Sequence, residues 1–279
     1  MRRCDLHIHS TASDGTFSPR EAVRLAKHSQ LAALGLCDHD TVDGLPEFIE
    51  AGREFDLPVV GGVELSLEYV RITHLLGLGV MCREGQVPIL SEVKKYRLDR
   101  NVVLFDKLIS LGVKLTWSRI EAISNGGQMG RPHFARAMLE AGYVSSLQEA
   151  FDKYLGKGRA AYVDKIRMRP QKALELLREK GFAPVLAHPI SLGLDLDKWL
   201  SVIPQWKDWG LVGLEAYHPD HDEDFQKFVI SLAKRFNLVI TAGSDFHGAN
   251  KKTPITWVKD HSPLGIEVIE SLREALQRR

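Results

Sequence analysis

The run Cys4 to Asp14, CDLHIHSTASD, sets His7 and His9 two residues apart at the end of a short apolar stretch and brings in Asp14 after a small polar turn. In extended backbone, side chains at i and i+2 leave on the same side, so two imidazoles converge on one point with a carboxylate close by. An isolated His-x-His describes a pair of loop histidines equally well. Six further groups decide between the two: His39 in CDHD, Glu64 in GGVELS, His74 in THLLGLGV, His188 in AHP, and Asp245 and His247 in SDFH. One ion takes about four ligands, so nine predict a cluster of two or three divalent ions, with Glu64 the natural bridging carboxylate. Manganese is the expected ion, and the same ligand types also suit iron, zinc and magnesium. Adjacent ions acidify a bridging water and hold phosphoryl oxygens, so the chemistry expected is phosphoester hydrolysis by metal-hydroxide attack. A GxSxG elbow, a P-loop and a CxxxxxR thiolate pocket are all absent from the sequence.

Within CDHD, extended backbone would point Asp38 and Asp40 one way and His39 the other. His39 is therefore the expected ligand, with Asp38 or Asp40 as an acceptor that orients an imidazole. By the same alternation Asp245 and His247 share a face. Cys4 and Cys37 fall inside apolar runs and read as small buried side chains.

These residues must be positioned by the elements before them. Seven apolar runs have strand-like composition, and each is expected to reach a functional residue at its C-terminal end: Arg3 to Leu6, Leu31 to Cys37, Leu57 to Val63, a run from Ile72 around His74, Ala183 to Ala187, Leu211 to Ala216, and Leu238 to Ala242. Helical patterns lie between several of them. Ser18, Pro19 and Glu21 form an N-terminal signature, and Asp43 to Phe55 and Asp222 to Phe236 are amphipathic. The fold class expected is α/β, a distorted (β/α)7 barrel with its site at the strand C-termini. An open doubly wound sheet would spread the same residues along a line.

Residues 83–169 break the alternation and read as an inserted, mainly helical subdomain between two barrel portions, 1–82 and 170–279. Val87 to Leu111, Ser118 to Ser124, Pro132 to Ala141 and Ser146 to Tyr154 are its expected helices, and Pro263 to Arg279 a closing one. Net charge is only +1, yet Arg83 to Pro170 holds sixteen Lys and Arg against nine Asp and Glu. That asymmetry suits either solvated surfaces or an anion-binding lid. In GRPHFARAML, Pro132 marks a helix start, where free N–H groups together with Arg131 and His133 would clamp a phosphate. Lys157 and Arg159 on the Gly-flanked turn of YLGKGRAAYV offer another phosphate contact.

At 279 residues, with 44% hydrophobic and 26% charged, the chain reads as a soluble globular protein rather than a fibrous or broadly disordered one. Three distant cysteines support neither a disulfide framework nor a zinc ribbon. No run has the length of a membrane span. A cytoplasmic location is expected, with no membrane association and no stable protein partner inferable.

Taken together, HIH with Asp14, the DHD holding His39, Glu64 in GGVELS, His74 in THLLGLGV, His188 in AHP and SDFH resemble the polymerase and histidinol phosphatase (PHP) superfamily. The resemblance implies a distorted seven-stranded barrel, two or three metal ions and phosphoester hydrolysis. It implies that His7, His9, Glu64 and Asp245 hold one ion, that Glu64, His74 and His188 hold a second, and that Asp14, His39 and His247 hold a third, with Glu64 and Asp245 thereby catalytic. An insert with GRPH, a YL-type basic turn and a later EAYHP is similar to that of the small bacterial nucleases and nucleotidases of the superfamily. Their substrates, nucleoside 3′,5′-bisphosphates and short RNAs trimmed from the 5′ end, are what this similarity implies, with Arg131 and His133 on a phosphate and His218 contacting phosphate or assisting the leaving group. Alternatives are a histidinol-phosphate-type phosphatase, a C–N bond hydrolase on an amidohydrolase-like barrel, and a catalytically silent metal-binding domain. A C–N hydrolase of that kind often uses a bridging lysine, and here Glu64 fills the bridging position.

Overall fold

The computed structural model describes residues 3–69, 71–80, 91–125, 129–164 and 167–278. The chain starts with β1 (Cys4–Ile8), α1 (Pro19–His28), β2 (Ala33–Leu36), α2 (Leu45–Glu54), β3 (Val59–Glu68) and β4 (Ile72–Leu78). Ser18 caps α1 as its sequence predicts: its hydroxyl accepts from the Glu21 N–H while the Glu21 carboxylate accepts from the Ser18 N–H. Two donors that the first turn leaves open are thus satisfied. The face of α1 that carries Ala22, Val23 and Ala26 is buried.

β1, β2 and β3 are parallel, but β4 runs antiparallel to β3. The expectation that each strand run carries its functional residue at the C-terminal end fails here. His74 is the third residue of β4 and pairs with Ser66 of β3. Reversal explains it, because a strand running the other way brings its N-terminal end to the mouth where its parallel neighbours finish. β3 is also longer than the Leu57 to Val63 run, and Glu64 sits mid-strand, just beyond the last β2 pairing at Leu36 and Gly61.

Next come α3 (Ser91–Ser110), α4 (Trp117–Ser124), α5 (Arg131–Glu140), α6 (Leu147–Ala150) and a π-helical turn at Phe151–Leu155. The expected helix start at Val87, like Cys82, lies outside the described residues. These helices pack on one another through Leu104, Leu108, Ile120, Phe134, Met138 and Leu155. The chain resumes the barrel with α7 (Pro170–Glu179), β5 (Ala183–Leu186), α8 (Leu196–Asp208), β6 (Gly213–Tyr217), α9 (Glu223–Arg235), β7 (Val239–Ala242), α10 (Trp257–His261) and α11 (Glu267–Gln277).

The seven strands are hydrogen-bonded in sequence order, with β4 antiparallel also to β5 and the β5–β6–β7 set parallel. A bridge between Ile8 and Phe246 brings the last strand's exit back to β1, so the barrel nearly closes. Helices pack around it through Phe48, Trp199 and Trp206, all buried. A second apolar cluster sets Cys4, Leu6, Cys37, Leu76 and Val185 against Val268 and Leu272 of α11. Both described cysteines are buried, and burial pushes the Cys4 thiol up to about 12. Among the described residues, no helix is long and apolar enough to cross a membrane.

Candidate metal centre

Glu64 is the hub. Its Oε1 lies 2.9 Å from His188 Nε2, 3.0 Å from His74 Nδ1 and 3.6 Å from His7 Nε2. Its Oε2 lies 2.9 Å from His39 Nδ1 and 3.3 Å from His9 Nε2. Asp245 Oδ1 faces His9 Nε2 at 3.1 Å and His247 Nδ1 at 3.3 Å, and Asp14 Oδ1 is 3.3 Å from His247 Nε2. All nine residues singled out by spacing therefore meet at one end of the barrel. Eight of them make three groups of donor atoms: His9, Asp14, His39 and His247; His7, His9 and Asp245; and His39, Glu64 and His74; His188 is in none of the three, although its Nε2 faces Glu64 Oε1 at 2.9 Å. Compared with the ligand sets implied by the resemblance, His9 also reaches the Asp14 group and His39 also reaches Glu64.

This donor set fits divalent ions. Ligand atoms that share one ion at about 2.1 Å stand roughly 3.0 Å apart in an octahedron and about 3.4 Å apart in a tetrahedron; the nearer pairs here match, while His7 to Glu64 at 3.6 Å and His9 and His39 to Asp14 at 3.8 Å are wider. His7 Nε2 and His9 Nε2 face each other at 3.2 Å. His9 Nδ1 is buried without a hydrogen-bond partner. Buried polar atoms left this way are costly unless something else binds them.

Charge agrees with geometry. Burial alone would raise the Glu64 carboxyl, but His74, His39 and His7 around it hold it well below the usual carboxylate range. Asp245 and Asp14 are lowered in the same way, each against its own burial, by the imidazoles that face them. Burial pushes the His74 imidazole down to about 4, which leaves it neutral and able to ligate at neutral pH.

Local backbone sets these directions. Asp40 (φ 52°), His188 (φ 26°) and Asp245 (φ 50°) adopt left-handed conformations that are strained for non-glycine residues and cluster here. The turn at Asp40 overrides the alternation expected for CDHD. Asp38 accepts from the Ser10 N–H and from the Ser10 and Ser13 hydroxyls, pinning the loop after β1. Asp40 accepts from the Ser66 N–H and hydroxyl. The carboxylate that orients imidazoles is Glu215, fully buried on β6 and missed by the sequence reading. Its Oε1 is 3.0 Å from His7 Nδ1, and its Oε2 accepts from the His188 N–H at 2.7 Å. A proton on His7 Nδ1 leaves Nε2 free to bind a cation. Gly243 makes room for this pair, since a Cβ there would lie 2.3 Å from His7 Cβ and 2.4 Å from Glu215 Oε1. The available signal was a charged residue inside the apolar run LVGLEAY.

Residues 5–182 match the family model described as PHP domain. The chain belongs to the PHP family. A 5′-3′ exoribonuclease of Haemophilus influenzae is 33% identical over 92% of this chain and 93% of its own length. A 3′,5′-nucleoside bisphosphate phosphatase of Chromobacterium violaceum is 31% identical over 88% of each chain. A phosphoribosyl 1,2-cyclic phosphate 1,2-diphosphodiesterase of Eggerthella lenta is 31% identical over 90% of this chain and 96% of its own. A solved structure from Bifidobacterium adolescentis, assigned as a metal-dependent phosphoesterase, superposes with a TM-score of 0.81 at 26% identity, over 99% of this chain and 96% of that one. The chain is thus a PHP phosphoesterase, with His, Asp and Glu clusters able to hold metal ions.

Above the PHP cluster lies a cavity of about 530 Å³, lined by His39, Glu64, Arg71, His74, Lys157, His188, Ser191, Asp220, Asp245 and Lys251. Of the four basic residues expected to hold phosphate, Lys157 lines it. Arg131 donates to the Leu155 carbonyl at 3.3 Å, with its guanidinium 5.6 Å from the Tyr162 ring centre. His133 Nδ1 accepts from the Gly130 N–H, and Arg159 is exposed on its turn. His218 is buried, with Nε2 3.7 Å from Asp245 Oδ2 and Nδ1 accepting from the Asp220 N–H at 3.1 Å. With Nδ1 accepting, Nε2 is the nitrogen placed to carry a ring proton, on the side of the cluster.

Proposed function

We propose that this PHP protein is a manganese-dependent nucleotide phosphoesterase that removes the 3′-phosphate of nucleoside 3′,5′-bisphosphates and trims short RNAs from the 5′ end. One observation carries the reading: a nine-residue ligand cluster centred on Glu64 opens onto a cation-lined cavity that Lys157, from segment 83–169, also enters. The relatives from H. influenzae and C. violaceum, named for these two activities, support it. Ions held by the nine ligands would supply an acidified water and a Lewis acid for the phosphoryl oxygens.

The chain's own residues do the rest. Glu64 and Asp245 hold their negative charge where ions belong, and Glu215 keeps His7 in the tautomer that ligates. His218 presents a proton on Nε2 beside Asp245 and donates it to phosphate or to the departing oxygen. Segment 83–169 acts as a lid and substrate-binding subdomain, in which Arg131, His133, Lys157 and Arg159 contact substrate phosphates.

The test is a manganese-supplemented panel of adenosine 3′,5′-bisphosphate, AMP, a 5′-phosphorylated oligoribonucleotide and histidinol phosphate, with products identified. Turnover of the bisphosphate or the oligoribonucleotide above the other two is expected. Preference for histidinol phosphate would overturn the assignment.

A further inference from the structure

The cations on the cavity wall are not those that motif reading picks out. Arg71 precedes β4, Lys251 follows the SDFH segment, and Lys157 comes from the turn after the π-helical segment. Three separate stretches of chain thus place a cation on one wall, against a single carboxylate, Asp220, that is not among the nine ligands. Two of the three have a neighbour that places them. The Arg71 guanidinium lies in the notch left by Gly193, where an added Cβ would sit 2.4 Å from Nη1. Gly193 is two residues past Ser191, whose hydroxyl is 3.2 Å from His188 Nδ1, so Arg71 is tied to the loop that carries a candidate ligand. The Lys251 ammonium contacts Asp245 Oδ2, the oxygen that faces away from His9 and toward His218. All three side chains are exposed in part to solvent, yet each lines the cavity that Glu64, His74 and Asp245 also line, and the Lys251 head touches a cluster carboxylate.

The geometry points to an anion subsite formed by Arg71, Lys157 and Lys251 that receives the non-scissile phosphate of a substrate whose other phosphoester lies on the Glu64 cluster. This rests on the phosphoesterase reading and adds to it. The terminal phosphate binds at the barrel wall, leaving the Arg131 end of α5 for phosphates further along a longer chain. Arginine suits the role, since its planar fork matches two phosphate oxygens, while lysine supplies a mobile point charge that Asp245 yields when an anion arrives.

Adenosine 3′,5′-bisphosphate and adenosine 3′-monophosphate share the scissile 3′-phosphate and differ only at the 5′ end. The ratio of their kcat/KM values therefore reads the second phosphate directly. In the wild type we expect the bisphosphate to be preferred about 10- to 100-fold, the scale of one or two charge-assisted hydrogen bonds. Arg71→Gln and Lys251→Met each reduce that ratio severalfold, mainly through KM, and the double variant brings it near one. Gly193→Ala, which displaces the guanidinium without removing it, lowers the ratio in the same direction, and thermal unfolding checks that each variant is folded. A wild-type ratio near one, or a ratio unchanged in Arg71→Gln and Lys251→Met, overturns the subsite while the phosphoesterase reading stands. Release of phosphate from neither nucleotide by manganese-loaded wild type overturns both.

Discussion

The floor and the rim of this cavity obey different rules. On the floor, Glu64 has five imidazole nitrogens within 3.6 Å, and eight of the nine candidate ligands leave strand ends or the first turns beyond them. On the rim, cations from Arg71, Lys157 and Lys251 gather from unrelated loops, and two of them were invisible as motifs. Holding an ion demands donor atoms placed to a few tenths of an ångström, and strands in fixed register, with the turns beside them, supply that. Attracting a phosphate works over several ångströms, so flexible side chains from any nearby segment suffice. Chemistry that needs precision therefore leaves a spacing signature, and long-range charge does not.

The comparison predicts that floor substitutions cost far more than rim ones. Glu64→Gln should reduce kcat by at least about 10³-fold, since it removes the charge that faces every other ligand group. A loss of less than roughly tenfold with ions retained would erase the contrast. Glu215→Gln touches no substrate, and its effect passes through His7 and the His188 backbone. It should lower metal affinity about 10- to 100-fold, with kcat largely restored at saturating manganese. A kcat defect that saturating metal leaves in place would give Glu215 a different role. On the rim, Arg131→Ala should weaken a 5′-phosphorylated oligoribonucleotide about tenfold in kcat/KM and an aryl phosphate much less. Equal losses on both would remove the lid contact.

Much of the floor is legible in the sequence because nine histidines and carboxylates lie in or just after seven apolar runs, which is enough to anticipate a barrel mouth. What the runs conceal is direction. Nothing in THLLGLGV marks β4 as antiparallel, because the pattern of a buried strand is the same read either way. CDHD misled for a local reason: the left-handed turn at Asp40 breaks the alternation on which the facing of Asp38 and Asp40 was argued. Glu215 went unnoticed because its partners, His7 and the His188 N–H, are far away in sequence. Arg131 and His133 were legible as a helix start, and they do form one, yet part of their bonding capacity serves α5 and its neighbours.

A smaller effect separates the regions by proton count. In the metal-free protein burial would lower the His7 imidazole, but Glu215 and Glu64 raise it well above its ordinary 6.5, and His9 and His188 are raised too. Raised imidazoles favour the folded state fully below about pH 6.5, and that contribution disappears as pH rises through the folded values. Metal-free protein should therefore lose thermal stability on going alkaline from neutrality. A cation must displace these protons, so manganese binding at pH 7 should release protons and tighten as pH rises, as read from titration enthalpies in buffers of different ionisation heat. Phosphate binding at the rim should release none, and proton uptake on manganese binding would contradict the assignment.

The most direct test of the central claim is anomalous diffraction from crystals of the active protein grown with manganese. The account predicts two or three peaks among His7, His9, Asp14, His39, Glu64, His74, His188, Asp245 and His247, with Glu64 touching more than one ion. Crystals of catalytically active protein with no anomalous peak within bonding distance of Glu64 would contradict it.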